Sequence, residues 1–403
     1  MEPKTAASVD KGRAIFTVVL STLIMISSAF SLFKFTPIMT YFLESYQLNM
    51  VSMSNVMSVF NWVLIIIGLP VGIFLSKYPA KYSGAFGALC IVCGNLIAML
   101  SGTMAALIVG RVVEAIGYCT LQVLTNCLVT TLFKDSRLRG TMVGIVGVGL
   151  MLGQTVYFNV APRIAVNSGL NGVYLMIIVV VAVLGVLWLV GIRKESRVET
   201  LNASQKMDKA QRRQLRMAAF KSRDLILIAV AYAVLRMGIA TAGQYIVTYL
   251  EVERGVDNIA AAGLASVATT LGIAMMVFTG VICDLLKTRR KVQIISSFSI
   301  IVVWILLMKL PVESLIICFI IYGTVPRTYT TVTYSSYPDI FEDSSVVPIA
   351  HSTVQFVGNV IGAVATMVFG AIITYAGYSA MWTTCMVLGA IGGVCWIMVK
   401  KVK

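Results

Sequence analysis

The sequence predicts an all-α membrane protein of twelve transmembrane helices in two six-helix halves, with both termini cytoplasmic. Three observations predict it. The chain is 58% hydrophobic and offers a dozen apolar runs of the roughly 20 residues that a helix needs to cross a bilayer. Its one long hydrophilic stretch, GIRKESRVETLNASQKMDKAQRRQLRMAAFKSRD from Gly191 to Asp224, lies near the middle with six runs on either side. With the amino terminus inside, the inner segments carry 25 Lys/Arg against 11 Asp/Glu, and the outer loops carry 3 against 5. This is the positive-inside pattern. The net charge of +15 therefore reports topology, not a nucleic-acid partner.

The first run, Ala14 to Phe42, is too long for a signal-peptide core and lacks a small-residue cleavage site, so it is span 1. Breaks carrying charge, Gly or Pro then separate span 2 (Val51 to Ser76), span 3 (Gly84 to Leu100), span 4 (Met104 to Phe133), span 5 (Thr141 to Val160) and span 6 (Val173 to Ile192). These make a first half, 1–192. The basic linker, 193–224, includes a stretch from Lys206 to Lys221 fit for a helix lying on the anionic inner leaflet. The second half, 225–403, holds span 7 (Leu225 to Tyr249), span 8 (Ile259 to Cys283), span 9 (Val292 to Leu310), span 10 (Val312 to Ser336), span 11 (Val347 to Tyr375) and span 12 (Ser379 to Val399). One inner loop departs from the charge rule: Asp339, Glu342 and Asp343 stand there without a base, free to pair with the linker or with the loop after span 8.

The outer loops are too short for a soluble catalytic domain, and no nucleophile, base or metal constellation is visible, so an enzyme and a cofactor are not expected. The eight cysteines fall in or beside apolar runs, where a thiol behaves as a small hydrophobe. Cys90-x-x-Cys93 has no second pair and no nearby His, so it is not expected to hold metal. The Asn202-Ala203-Ser204 sequon lies in the cytoplasmic linker, out of reach of glycosylation.

Several short motifs carry a family resemblance. After span 2 the chain reads Gly72-Ile-Phe-Leu-Ser76-Lys77-Tyr-Pro79-Ala-Lys81, and after span 8 Gly280-Val-Ile-Cys-Asp284-Leu-Leu-Lys287-Thr-Arg289-Arg290. Both resemble the loop signature of the major facilitator superfamily, a Gly, an Asp four residues on, then clustered bases. The first copy has Ser76 for the Asp and Pro79 for a Gly. Gly110-Arg111-Val-Val-Glu114-Ala-Ile-Gly117 in span 4 is similar to the family's Arg-x-x-x-x-x-Gly element. Gly144, Gly147, Gly149 and Gly153 resemble the exporters' Gly-rich signature, with Gln154 where a Pro is expected. Phe33-Lys34-Phe35-Thr36-Pro37-Ile38-Met39, Met57-Ser58-Val59-Phe60 and Gly68-Leu69-Pro70-Val71-Gly72 look like the bacterial anion porters near the nitrate and cyanate permeases. The Arg residues that nitrate porters carry in spans 2 and 8 are absent, as are the oxalate exchangers' bases in spans 8 and 11. The resemblance implies a major facilitator carrier in the bacterial inner (plasma) membrane, with gating loops at Gly72, Lys77, Gly280, Asp284 and Arg289.

Charges within the spans argue for an anion independently. Lys34 lies in span 1, Arg111 in span 4, Arg236 in span 7 and Arg327 in span 10; Glu114 is the one acid inside a span. A base near the bilayer centre costs about 2.5–3.5 kcal/mol, so four of them point to function. Glu114, three residues after Arg111 on the same helical face, can neutralise it, leaving Lys34, Arg236 and Arg327 without a partner. In the major facilitator fold the first helix of each three-helix repeat, spans 1, 4, 7 and 10, lines a central cavity, and all four bases fall on those helices. Helical spacing adds Thr330, Thr331 and Tyr334 to the face of Arg327, and Tyr232, Ala240, Gly243 and Gln244 to that of Arg236. It puts Tyr118 and Gln122 with Arg111, and Ser27, Ser31 and Tyr41 with Lys34. His351 opens span 11 with Gln355 and Asn359 on its face; it and Glu114 are the candidates for a coupling proton.

The expectation is a monomeric carrier of a small organic anion, a mono- or dicarboxylate, bridging Lys34, Arg236 and Arg327 as the halves rock, with a proton or counter-anion as coupling partner. An inorganic anion such as nitrate or cyanate, a drug exported by the carrier, and a nontransporting sensor are the alternatives.

Overall fold

The computed structural model describes residues 11–133, 139–192, 222–286, 288–340 and 347–402. The Lys206–Lys221 stretch, Glu342 and Asp343 lie outside the described residues. Among the described residues every regular element is helical. In chain order α1 is Lys11–Leu32, resuming after a break as Thr36–Ile38 and Met39–Ser45; α2 is Met50–Lys77, α3 Ala80–Ser101 and α4 Met104–Leu132. The run Arg139–Gly191 supplies α5 (139–168) and α6 (170–191). In the second half α7 is Arg223–Arg236, prolonged by Met237–Thr241, Ala242–Tyr245 and Ile246–Val252; α8 is Asn258–Leu286 and α9 Arg289–Lys309. Span α10 is Leu315–Thr324 with Pro326–Thr328 and Tyr329–Ser335, and the run Val347–Met398 supplies α11 (347–376) and α12 (378–398).

Two apolar stretches, Gly144–Gly191 and Thr353–Met398, are 48 and 46 residues long, about twice what one crossing needs. Each is interrupted by a glycine at positive φ, Gly169 (63°) and Gly377 (80°), where the missing Cβ allows the left-handed conformation. The chain doubles back there: a Cβ on Gly172 would meet Ser168 Cβ at 2.5 Å. With these two reversals the ten long apolar helices among the described residues amount to twelve crossings. Helix starts are capped from side chains, Asn49 accepting from the Ser52 amide (2.8 Å) and Thr103 from the Ala106 amide (3.2 Å). Span α7 begins two residues inside the stretch assigned to the linker. Ser222 caps it, and Asp224 accepts from the backbone amides of Lys400 (3.3 Å) and Lys401 (2.8 Å), tying that end to the end of α12.

Small residues set the closest helix crossings, as expected where helices pack without a hydrophobic driving force between them. A Cβ on Gly94 would meet the Gly110 carbonyl oxygen at 2.5 Å, and one on Gly117 the Gly87 oxygen at 2.4 Å, so α3 and α4 touch backbone to backbone. Gly149 and Gly153 press in the same way on Thr22 and Ile26 of α1, whereas Gly144 and Gly147 face open space.

The first six helices meet the second six at the span ends opposite Lys11, Lys77, Arg223 and Arg289. There the Thr40 hydroxyl donates to Glu251 (2.6 Å) and the Asn258 amide donates to the Pro37 carbonyl (2.9 Å) and to Glu251. Tyr245 Oη lies 2.9 Å from Ser54 Oγ and 2.6 Å from the Thr366 carbonyl. Nearer the middle, the hydroxyls of Thr155 and Thr269 are 2.9 Å apart. At the opposite end Arg289 pairs with Asp339 (2.9 and 3.0 Å), joining the start of α9 to the helical turn Tyr337–Ile340 that follows α10.

Candidate functional site: a cavity between broken helices

Three of the helices expected to line a cavity are broken, and each break falls at a basic residue. Pro37 cannot donate to the α1 ladder and crowds the carbonyl four residues before it; helix stops at Leu32, and Lys34 sits in the gap. Pro326 does the same in α10, leaving Arg327 in a 3-10 turn between two helical pieces. Arg236 is the last residue of the α-helical part of α7, followed by a π-helical turn, Met237–Thr241, containing Gly238. Irregular backbone of this kind is tolerated at membrane depth only where side chains or water satisfy the freed carbonyls.

The first break is closed from within the protein. Arg111 donates to the Ser31 and Leu32 carbonyls, the latter at 3.1 Å, and to Glu114 at 2.9 Å. Its guanidinium lies 4.1 Å from the Phe60 ring centroid and 4.7 Å from that of Phe35, and the Tyr157 hydroxyl donates to the Lys34 carbonyl (3.0 Å). Lys34 differs from expectation. It is 1% exposed, pairs with the other oxygen of Glu114, and donates to Asn95 Oδ1 at 3.3 Å. Gly94 makes the room: a Cβ there would meet Glu114 Cγ at 2.7 Å. Glu114, 0% exposed, thus serves two cations, and Lys34 is not a free base for an anion.

The bases at the other two breaks, Arg236 and Arg327, face a cavity of about 290 Å³ between the halves. Arg236, Ala240, Gly243 and Gln244 of α7, Thr269 of α8, and Tyr322 and Arg327 of α10 form one wall. The opposite wall comes from the first half, where Thr36, Arg111 and the amides of Asn61 and Gln154 interrupt a surface of large apolar side chains. Freed carbonyls of α7 are taken by Trp304, donating to Gly238 at 3.1 Å, and Tyr322, donating to Ile239 at 2.8 Å. That of Pro326 accepts from Ser296 at 3.2 Å. Arg236 has Tyr232, Tyr329 and Tyr334 around it, and Arg327 lies 5.1 Å from the Tyr322 ring centroid. Among the described residues neither arginine is in an ion pair, and Arg327 Nε is buried without a hydrogen-bond partner.

Of the other expected site residues, Gln244 lines the cavity and Thr330, Tyr334, Tyr118 and Gln355 do not. The expectation carried a 3.6-residue spacing onward from Arg327, but Arg327 lies in the 3-10 turn Pro326–Thr328, which changes the register of the helical piece beyond it. Thr330 is thereby turned onto its own backbone, donating to the Arg327 carbonyl (3.5 Å), and the Tyr334 hydroxyl lies 2.8 Å from that of Tyr232. His351 stands edge-on to Tyr334, ring centroids 4.3 Å apart, with Gln355 beside it. Tyr118 is buried against Phe60 (5.3 Å between centroids). Lys77 is exposed at the end of α2, one helix turn beyond Gly72, and Gly280 and Asp284 fall in the last turns of α8; the Asp284 side chain is outside the described part. Sequence reasoning missed Asn61, Gln154 and Tyr322. A lone amide in an apolar run was a signal for the first two.

The Major Facilitator Superfamily matches residues 21–363. Solved structures share the fold over nearly the whole chain. They include a D-xylose–proton symporter (14% identity, 96% of this chain and 98% of that one, TM-score 0.76). A point mutant of the nucleoside transporter NupG is similar (13%, 96% and 98%, 0.76). So is a bacterial homolog of the human lysosomal transporter Spinster, inward-facing and unoccupied (13%, 97% and 95%, 0.73). No curated protein matches. The chain belongs to the major facilitator superfamily and is a multi-pass membrane transporter.

Proposed function

We propose that this major facilitator transporter carries a small organic anion, a carboxylate, by alternating access, holding it between Arg236 and Arg327. The observation that supports this reading is the pair itself: two arginines at helix breaks, on one wall of one cavity, with no acid to neutralise them among the described residues. Retaining such charge at membrane depth costs several kcal/mol in the absence of a ligand or water, and a planar guanidinium binds a carboxylate through two parallel hydrogen bonds. Gln244 supplies a neutral donor about two turns beyond the α7 break. The anion stands between the two halves, where a carrier's site belongs, with discontinuous helices at the binding point. The latch at Thr40, Glu251 and Asn258 fits a state closed on the outer face under the positive-inside topology. The division into halves 1–192 and 225–403 with the linker between them, both termini cytoplasmic, a monomeric state and residence in a bacterial inner (plasma) membrane belong to the same proposal, as does coupling to a proton or counter-anion.

The test is ligand-dependent thermal unfolding of the purified protein against acetate, longer monocarboxylates, dicarboxylates, nitrate and cyanate. A ligand at 100 times its dissociation constant stabilises by about 2.7 kcal/mol. Stabilisation by carboxylates that disappears in both Arg236→Gln and Arg327→Gln supports the site. Stabilisation by nitrate or cyanate alone transfers the function to an inorganic anion. Wild-type carboxylate binding in folded Arg236→Gln and Arg327→Gln variants overturns the clamp.

A further inference from the structure

The cavity is two-faced, and its sidedness specifies the substrate more closely than its charge does. Polar groups with hydrogen-bonding capacity to spare stand on the second-half wall: Arg236, Arg327 and Gln244. The first-half wall presents Phe33, Met57, Phe60, Leu150, Met151 and Phe158. Its one charge, Arg111, already serves Glu114 and the Ser31 and Leu32 carbonyls through its two terminal nitrogens, with its flat faces covered by Phe35 and Phe60, so that Nε is its one donor left over. Thr36, Asn61 and Gln154, all neutral, are what else stands there to receive a polar group. Ile246 is the one large aliphatic side chain that the second half adds.

Resting on the carboxylate reading above, we infer that the substrate is a one-headed amphipathic anion: a monocarboxylate whose carboxylate lies between Arg236 and Arg327 and whose alkyl or aryl body lies on the phenylalanine and methionine wall of the first half. One carboxylate has two oxygens, enough to accept from both guanidinium groups. A second carboxylate at the far end would leave water for a wall whose one cation, Arg111, is already paired with Glu114 and keeps a single donor, and burying a charge without a full set of partners is unfavourable. The apolar body gains in the opposite sense, since each methylene removed from water is worth roughly a fourfold increase in affinity. The volume, about 290 Å³, equals that of roughly ten waters and suits acids of modest size. The arrangement also couples the halves: the head engages one and the body the other, so the ligand's full contact requires both walls together.

The experiment measures dissociation constants of the purified full-length protein for acetate, butyrate, hexanoate, phenylacetate and succinate, with nitrate as a further arm. The same series is repeated in Phe33→Ser and Met151→Ser, whose thermal unfolding without ligand is recorded to show that they are folded. The expected result is affinity rising about fourfold per methylene from acetate to hexanoate, phenylacetate among the tight binders, and succinate at least about tenfold weaker than hexanoate. In the two wall variants the slope with chain length flattens relative to the wild type. Because partition of the acids into detergent is the same for wild type and variants, the change in slope reports the wall. Carboxylates that bind without chain-length dependence, or succinate binding more tightly than hexanoate, overturn the one-headed substrate and leave the carboxylate carrier standing. Nitrate binding with no carboxylate binding overturns both.

Discussion

Removing Glu114 is expected to damage the protein far more than removing either of the bases it serves. Lys34, Arg111 and Glu114 are 1%, 3% and 0% exposed, two cations on the two oxygens of one carboxylate. Glu114→Gln keeps the side chain's shape and strands both cations. Breaking a buried pair from one side costs about 3–5 kcal/mol, so the variant should unfold at markedly lower temperature or fail to accumulate. Lys34→Met removes one cation and leaves Arg111 and Glu114 matched one to one, with Asn95 Oδ1 losing its donor at a cost of about 1–3 kcal/mol, the range for an orphaned buried acceptor. The double variant is diagnostic. With Glu114→Gln in place, Lys34→Met leaves one stranded cation instead of two, so the double variant should be more stable than Glu114→Gln alone. Thermal unfolding of the three purified variants reads the order, and carboxylate affinity of Lys34→Met reads the function. An unchanged dissociation constant is expected, because Lys34 belongs to the triad and not to the cavity wall. Glu114→Gln as stable as wild type, or Lys34→Met losing carboxylate binding while remaining folded, would refute the reasoning.

The glycine contacts, the outer latch and the inner ion pair each carry an expected outcome. Gly117→Val should destabilise by about 1–3 kcal/mol or more, the range for overpacking, because its Cβ would meet the Gly87 carbonyl oxygen at 2.4 Å. Gly147→Ala, in open space, should leave thermal unfolding unchanged within about 0.5 kcal/mol, the range for surface sites; an equal loss in both would contradict the α3–α4 contact. Glu251→Ala removes the acceptor shared by Thr40 and Asn258. At about 1.5–3 kcal/mol for a hydrogen bond to a charged group, it should shift the population toward separation of the outer ends by roughly ten- to a hundredfold, read as distances between spin labels on α1 and α7; distances identical to wild type would count against a latch. Asp339→Asn breaks the pair with Arg289, whose side chains are 27% and 30% exposed. It should cost less than about 1 kcal/mol in a melting experiment, and a larger loss would mean that the pair is a structural tie.

Much of the fold was legible because the bilayer imposes it. Span number and the family follow from apolar run length and from motifs such as Gly110-Arg111 to Gly117, whose glycines turn out to be the backbone contacts of α3 with α4. The partner of Asp339 was legible as well, since an acidic loop without a base needed one nearby, and Arg289 supplies it. What escaped was long-range pairing. Glu114 is 80 residues from Lys34 in sequence, and periodicity could assign it to Arg111, on its own helix, but not to a helix that packs beside it. The faces around Arg327 escaped because a regular spacing was started from a residue inside the 3-10 turn that follows Pro326. Proline in the middle of an apolar run was the signal that the spacing changes there.

The same bases that argued for an anion have two different fates, and the helix breaks explain the division. A break frees carbonyls and exposes a basic side chain to whatever lies beside it. At α1 the neighbour is α4, which brings both a donor, Arg111, to the freed carbonyls of Ser31 and Leu32 and an acceptor, Glu114, to Lys34. That break is complete within one half and has no need of a ligand. At α7 and α10 the carbonyls are likewise satisfied, by Trp304, Tyr322 and Ser296, but no acid among the described residues reaches the guanidinium groups. The backbone there is finished and the charge is not. A cation left over after its backbone has been satisfied is where an intramembrane charge asks for a solute, whereas one that fills its own helix's gap is part of the fold. Counting bases within spans does not separate the two; finding the acid, or its absence, does.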